Sequence, residues 1–286
     1  MIMSQRIQCN DIYRTRLGRV LGYCAAILSL SNPVHDISDS SATAAEYLNG
    51  VKWEVPAKVS PGKTNADPPA DATILFDGKN LDAWHNGNRW KVTDGVAIVG
   101  QGEIRTKEEF GDCQLHIEWS APNPPTGQGQ GCGNSGIFLM GTYEIQVLDS
   151  YSTDTYADGQ AGAIYKQTPP MVNAMRAPGE WNTYDIIWTC PRFNDDNTLK
   201  TPAYITAIHN GVVILNHFEL KGDTPFHRPP QYENKGDKGP ISIQDHGNPV
   251  RFRNIWVREI KPIQGEQARE PFIRDGDKET PIAAKK

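Results

Sequence analysis

Cysteine is sparse in this chain. There are five in 286 residues, and no two form a CxxC pair, so the sequence gives no basis for a thiolate zinc centre. Long apolar runs are lacking as well. The longest, Val20 to Leu30, follows Arg14, Arg16 and Arg19. It is too short to cross a bilayer comfortably, and a basic stretch before a short apolar run is the layout of a signal peptide. Small residues beyond it (Ser38, Ser40, Ser41, Ala42, Ala44, Ala45) suit cleavage. The expectation is export to the periplasm or the extracellular space, with no membrane span left after cleavage. Tyr23, a bulky residue before Cys24, argues against a lipid anchor there. Cys9 and Cys24 would leave with the leader. Cys113, Cys132 and Cys190 remain, an odd number compatible with one disulfide and one free thiol, with no pairing chosen. No basic patch is interleaved with aromatics, and the formal net charge is -5, which argues against nucleic-acid partners. Helical periodicity is almost absent and no repeat is evident, which argues against bundles and propellers. No nucleotide cofactor is expected, and nothing in the sequence sets the oligomeric state.

What the chain does have is turn chemistry: 26 glycines and 21 prolines among short alternating segments. Asp94-Gly95 and Asn210-Gly211 each sit between apolar runs, the strongest local signal for a hairpin. Strands are expected at Thr73–Phe76, on either side of Asp94-Gly95, at Gln114–Trp119, Trp181–Trp188, Tyr204–Ile208, Val212–Leu215, Ile241–Asp245 and Val250–Ile260. In Gln114–Trp119, Leu115, Ile117 and Trp119 share one face, and Gln114, His116 and Glu118 share the other. Such a pattern describes an all-β fold, an antiparallel sandwich or barrel. Residues 1–45 read as signal peptide and leader. Residues 46–70 read as an extended lead-in with Trp53 and Val55 as anchors, 71–262 as the folded body, and 263–286 as a loose polar tail. Residues 150–179 show no period, and a loop that long inside a compact domain is usually functional or packed on a surface.

The stretch from Gly133 to Ser150 holds the most chemistry. It reads as two short strands around a Gly-Thr turn. In the second, Tyr143, Ile145 and Val147 point one way, while Glu144 and Gln146 point the other. A carboxylate and an amide two residues apart on a rigid strand are well placed to hold a ligand; a polar face meeting water is the plainer alternative.

A set of motifs occurs in order: Leu75-Phe76-Asp77-Gly78-Lys79-Asn80-Leu81-Asp82-Ala83-Trp84, Trp90-Lys91-Val92 with Asp94-Gly95, Asn134-Ser135-Gly136-Ile137, and Tyr143 to Asp149. Gly162-Ala163-Ile164-Tyr165, Trp181-Asn182, Asn210-Gly211, Ile243 to Gly247 and Phe252-Arg253-Asn254-Ile255 follow. Together they resemble the 3-keto-disaccharide hydrolase domain family over roughly Ala72 to Pro262. The resemblance implies a two-sheet antiparallel jelly-roll sandwich of the concanavalin A-like lectin and glucanase type, with a concave carbohydrate face. It also implies cleavage of glycosides already oxidised at sugar C3. A C3 ketone acidifies the C2 proton; a base removes it, the C1 leaving group departs by elimination, and water adds back. The chemistry needs a base, a group that steadies the enolate oxygen and an acid for the leaving group.

Glu144 is the first choice as base or metal ligand, His246 as acid, base or ligand, and Lys166 as a candidate acid. Gln146, Asn134, Ser135, Gln244 and Trp84 are the candidate sugar contacts. Arg253 would steady the enolate oxygen or simply pair with a carboxylate. Glu118 and Asp149 are candidate ligands for a divalent metal such as calcium, although Asp149 equally suits a turn cap and no HExxH-type motif fixes a site. Two other readings stay open. A non-catalytic lectin-like module would stack sugar on Trp84, Trp90 and Trp181. An ordinary retaining glucanase would need two facing carboxylates.

Overall fold

The computed structural model describes residues 44–282, so the signal-peptide and leader expectations fall outside the described residues. Among the described residues, all regular structure beyond three short 3-10 turns is β. In the unit spanning Val51–Ala268, one sheet runs in the order Val212–Glu219, Tyr204–His209, Asn182–Thr189, Cys113–Ser120, Arg251–Glu259, Val96–Ile98, Lys91–Thr93. Thr73–Phe76 also pairs with Arg251–Glu259. The other sheet runs Tyr143–Val147, Ser135–Leu139, Ser242–Ile243, Ile104–Thr106, Trp84–His85. The strand pairs in both sheets are antiparallel.

The two sheets face each other. The Tyr143 and Trp188 rings meet across the interior at 5.1 Å, and the Tyr184 hydroxyl donates to the Gln146 carbonyl at 2.9 Å. Leu115, Ile117, Trp119, Ile137, Ile145, Val147 and Ile186 all lie in the shared core. Period-two alternation puts them there, since every second side chain of a strand with one buried face must be apolar.

Both expected hairpins form. Asp94 and Gly95 have φ of 51° and 77°, and Asn210 and Gly211 have φ of 52° and 82°. Positive φ at both central positions suits a turn whose twist matches the strands, which is why Asn/Asp-Gly stands there. The central hairpin turns one residue earlier than expected. Its first strand stops at Leu139, and Met140 and Gly141 take the positive φ. Ile241–Asp245 shrinks to a two-residue strand, Ser242–Ile243.

Other expectations need correcting. Trp53 and Val55 are 56% and 92% exposed, so neither is a buried anchor. The lead-in is instead held by the Ala66 carbonyl, which accepts from Trp256 Nε1 at 3.0 Å and Asn254 Nδ2 at 2.9 Å, and by an Asp71–Arg258 ion pair. As far as residue 282 the tail is built into strands rather than loose. Phe272–Asp275 and Lys278–Pro281 form a hairpin that pairs with Glu46–Leu48 in a separate small unit, and Gly265–Gln267 pairs with Val51–Trp53. Phe272 is the reason the sequence pattern misled: one buried aromatic with the Arg269 guanidinium 3.5 Å over its ring organises an otherwise charged stretch. Cys113, Cys132 and Cys190 are buried free thiols, so no disulfide links them.

Candidate active site

The outer face of the smaller sheet carries a cavity of about 540 Å³. Its floor follows from register. Glu144 and Gln146 point away from the core residues that flank them. Their cross-strand partners are Phe138 and Gly136, and Phe138 pairs on with Ser242, which sets Gln244 on the same face two residues later. Glu144 is only 5% exposed, Gln146 1%. They are therefore not a water-facing strand edge.

The missing side chain at Gly136 makes this possible. A Cβ there would lie 2.3 Å from Glu144 Oε1 and 2.9 Å from the Phe138 ring. The Glu144 carboxyl fills that space and makes no side-chain hydrogen bond among the described residues. Burial without a partner pushes it up to about 8.

Two loops complete the walls. Residues 162–165 lie along the open edge of Tyr143–Val147: Gln146 N donates to the Ala163 carbonyl at 2.9 Å, Gly162 N to the Gln146 carbonyl at 2.9 Å and Tyr165 N to the Glu144 carbonyl at 3.3 Å. The pairing sets Tyr165 beside Glu144. Tyr156 and Tyr165 share a hydroxyl hydrogen bond of 2.7 Å, and Lys166 Nζ sits 3.4 Å above the Tyr156 ring. Farther along the same open edge, Thr224 Oγ1 accepts from Glu144 N at 3.0 Å, docking the loop that carries Phe226.

The amide groups form a chain. Gln130 Oε1 accepts from Gln146 Nε2 at 3.0 Å, and the Gln130 carbonyl accepts from Asn134 Nδ2 at 2.6 Å. That leaves Gln146 Oε1 and Asn134 Oδ1 buried in the lining without a partner. Orphaned buried acceptors destabilise a fold by about 1–3 kcal/mol each unless something donates to them, so a ligand rich in hydroxyls is the natural complement. His246 stands exposed at the rim, its loop pinned by Asp245, which accepts from Gly102 N and Gly247 N at 2.8 Å.

Thus Glu144, Gln146, Asn134, Gln244 and His246 converge, and Lys166 is held over the Tyr156 ring without lining the cavity. Ser135 does not line the cavity; its hydroxyl donates to the Gln244 carbonyl at 2.7 Å and ties the floor strands together. Trp84 is a core residue whose Nε1 donates to the Leu75 carbonyl at 2.8 Å. Arg253 and Glu118 belong to the other sheet's outer face. There Glu118 takes Arg253 Nε at 2.6 Å and Asn254 Nδ2 at 2.9 Å, beside His116, so these groups cannot complete a site with Glu144. Asp149 caps a turn, accepting from Tyr151 N at 3.1 Å and Ser152 N at 2.9 Å. Of the candidate metal ligands, Glu144 and His246 line the cavity while Glu118 and Asp149 do not, and no group of three His, Cys, Asp or Glu that could hold an ion is found among the described residues.

Sequence reading missed Gln130, Phe138, Tyr156, Thr224 and Phe226 as lining residues. Tyr165 stood in a quoted motif without a role. The others lie on loops or opposite Glu144, where only the register reveals them.

The geometry can be set beside known proteins. A solved structure of a candidate glycosyl hydrolase from Parabacteroides distasonis ATCC 8503 is 49% identical, with a TM-score of 0.70 over 72% of this chain and 93% of that one. A second from the same organism, 24% identical with a TM-score of 0.50 over 66% of this chain and 99% of its own, shares the fold. A 3-keto-disaccharide hydrolase of Bacteroides thetaiotaomicron VPI-5482 is 23% identical over 67% of this chain and 80% of its own. Residues 71–258 match the model of the 3-keto-alpha-glucoside-1,2-lyase-like domain. With the match spanning most of its length, the chain belongs to the 3-keto-alpha-glucoside-1,2-lyase-like domain family.

Proposed function

We propose that this protein is an exported enzyme that cleaves glycosides oxidised at C3, on a sandwich of the concanavalin A-like jelly-roll type. The observation that carries the reading is the Glu144 carboxyl, buried, without a partner among the described residues and facing a sugar-sized cavity whose lining also holds two orphaned amide acceptors. A carboxyl pushed up to about 8 is, once ionised, a stronger base than an exposed one, suited to a proton made acidic by a neighbouring ketone. Glu144 takes the proton from C2, and the electrons pass into the enolate with its charge on the C3 oxygen. The C1–O bond then breaks, and the leaving oxygen takes a proton from His246 at the rim. Water adds across the C1–C2 double bond, giving the 3-keto sugar and the free alcohol. Gln244, which lines the cavity, donates from its amide to the enolate oxygen, while Asn134 Oδ1 and Gln146 Oε1 accept from sugar hydroxyls.

The competing readings find less support. A glycosidase carboxylate pair would span roughly 5–9.5 Å. Among the described residues the cavity offers Glu144 as its only carboxylate. The lectin reading relied on Trp84, Trp90 and Trp181. Trp84 and Trp90 are buried, and Trp181 lies under the Arg253 guanidinium at 4.1 Å.

The test is turnover of chromogenic 3-keto-glucosides of either anomeric configuration beside their unoxidised parents, with wild type and Glu144→Gln. Cleavage confined to the keto compounds and lost in the variant is expected. Cleavage of the parents would move the assignment to an ordinary glycosidase.

A further inference from the structure

The cavity is two-sided in its chemistry. Its floor is polar and buried: Glu144, Gln146 and Asn134. Its mouth is aromatic. Phe226 lines the same cavity yet is 73% exposed, so it stands at the opening while Glu144 lies at the bottom. Tyr156, Tyr165 and Phe226 surround one ammonium group, Lys166 Nζ, at 3.4, 5.8 and 5.8 Å from their ring centroids. The three rings thus belong to one wall. The tyrosine hydroxyls are bonded to each other, which takes up one of their two protons and leaves the rings as most of the wall. A cation over the ring and a hydroxyl bridge also hold the tyrosines in place before a ligand arrives, which lowers the ordering cost of binding.

A sugar whose hydroxyls reach the orphaned acceptors occupies the floor, so the group attached at C1 extends toward the mouth. We propose that Phe226, with Tyr156 and Tyr165, forms a leaving-group subsite that takes an aglycone presenting a flat apolar face. An aromatic ring and the C–H face of a second sugar both present such a face. The inference rests on reading the cavity as a 3-keto-glycoside site. It adds the class of leaving group, because an open aromatic ring at the mouth contributes binding only when a flat group covers it.

The experiment compares kcat/KM for the phenyl 3-keto-glucoside, a 3-keto-disaccharide and the methyl 3-keto-glucoside in wild type, Phe226→Ala and Phe226→Trp. Comparing variants on each substrate removes differences in leaving-group reactivity. Phe226→Ala should lose roughly tenfold on a flat-faced substrate and less than about twofold on the methyl compound, with Phe226→Trp close to wild type. A loss confined to the phenyl compound identifies an aromatic aglycone, and one confined to the disaccharide identifies a sugar. Equal loss on all three substrates, or none on any, overturns the subsite. If wild type turns over none of them, the reaction assignment has failed instead, and calorimetric titration of the same compounds still decides. Phenyl or disaccharide binding stronger than methyl and weakened by Phe226→Ala supports the subsite; binding indifferent to the variant overturns it.

Discussion

Glu144 sets the character of the site at the scale of a single residue. A carboxyl held up to about 8 by burial is protonated in the folded chain over a range where the unfolded chain, near 4.5, has already ionised. Between those values the folded state binds the extra proton, so this group lowers stability as pH rises, by on the order of 3 kcal/mol at neutral pH. Glu144→Gln should therefore melt above wild type at pH 8 and level with it at pH 4, as differential scanning calorimetry would show. Equal melting at both would mean the carboxyl is not desolvated. The same residue, acting as base, predicts kcat/KM rising with pH through about 8. Gly136→Ala is the geometric counterpart. Its Cβ would collide with Glu144 Oε1, so kcat should fall roughly 100-fold while far-ultraviolet circular dichroism stays unchanged. Glu144 and Gln146 were legible because a period of two assigns faces without any knowledge of neighbours. Glu118 and Arg253 pair with each other on the other sheet, since motif order says nothing about which sheet a strand joins, and Trp84 shares the cavity's sheet but is buried in the core.

At the scale of elements, the site depends on a segment with no periodicity. Residues 162–165 behave as a substitute strand beside Tyr143–Val147. Gly162 has φ 85°, and a Cβ there would lie 2.3 Å from Ile214 Cδ1. Gly162→Ala should loosen that pairing. Amide exchange at Gln146 should accelerate, and KM should rise more than kcat falls, because the wall moves while Glu144 stays on its strand. Unchanged exchange at Gln146 would show that the loop is held some other way. This also explains where legibility stopped. The hairpins at Asp94-Gly95 and Asn210-Gly211 have a local cause and were readable, as was the lack of any period in residues 150–179. Which loop residues face the cavity is settled by hydrogen bonds to a strand distant in sequence, and these leave no local pattern.

For the whole molecule, several buried titrations combine. Burial, assisted by Arg176, brings His209 down to about 4, so it adds stability as pH rises toward 6.5. Burial works against protonated His116, but Asp185 and Glu118 outweigh it and raise it to about 9, so its contribution fades as pH climbs from 6.5. Burial opposes ionised Glu118 too, yet His116, Asn254 and Arg253 bring it to about 2, stability that disappears in acid. Glu144 declines from 4.5 to about 8. Between 4.5 and 6.5 the His209 gain offsets the Glu144 loss, and above 6.5 both remaining slopes point down. A melting-temperature profile should show a plateau across that window and a steep alkaline fall, and a maximum near pH 9 would contradict it. The loop that walls the cavity bears on the molecule's behaviour in a crowded solution as well. Tyr143–Val147 is a terminal strand of its sheet, and an uncovered terminal strand recruits strands from other copies. Since the segment hiding that strand also shapes the mouth of the cavity, substitutions that retune the mouth act on self-association too. Changes made for specificity alone should be selected for solubility in the same screen.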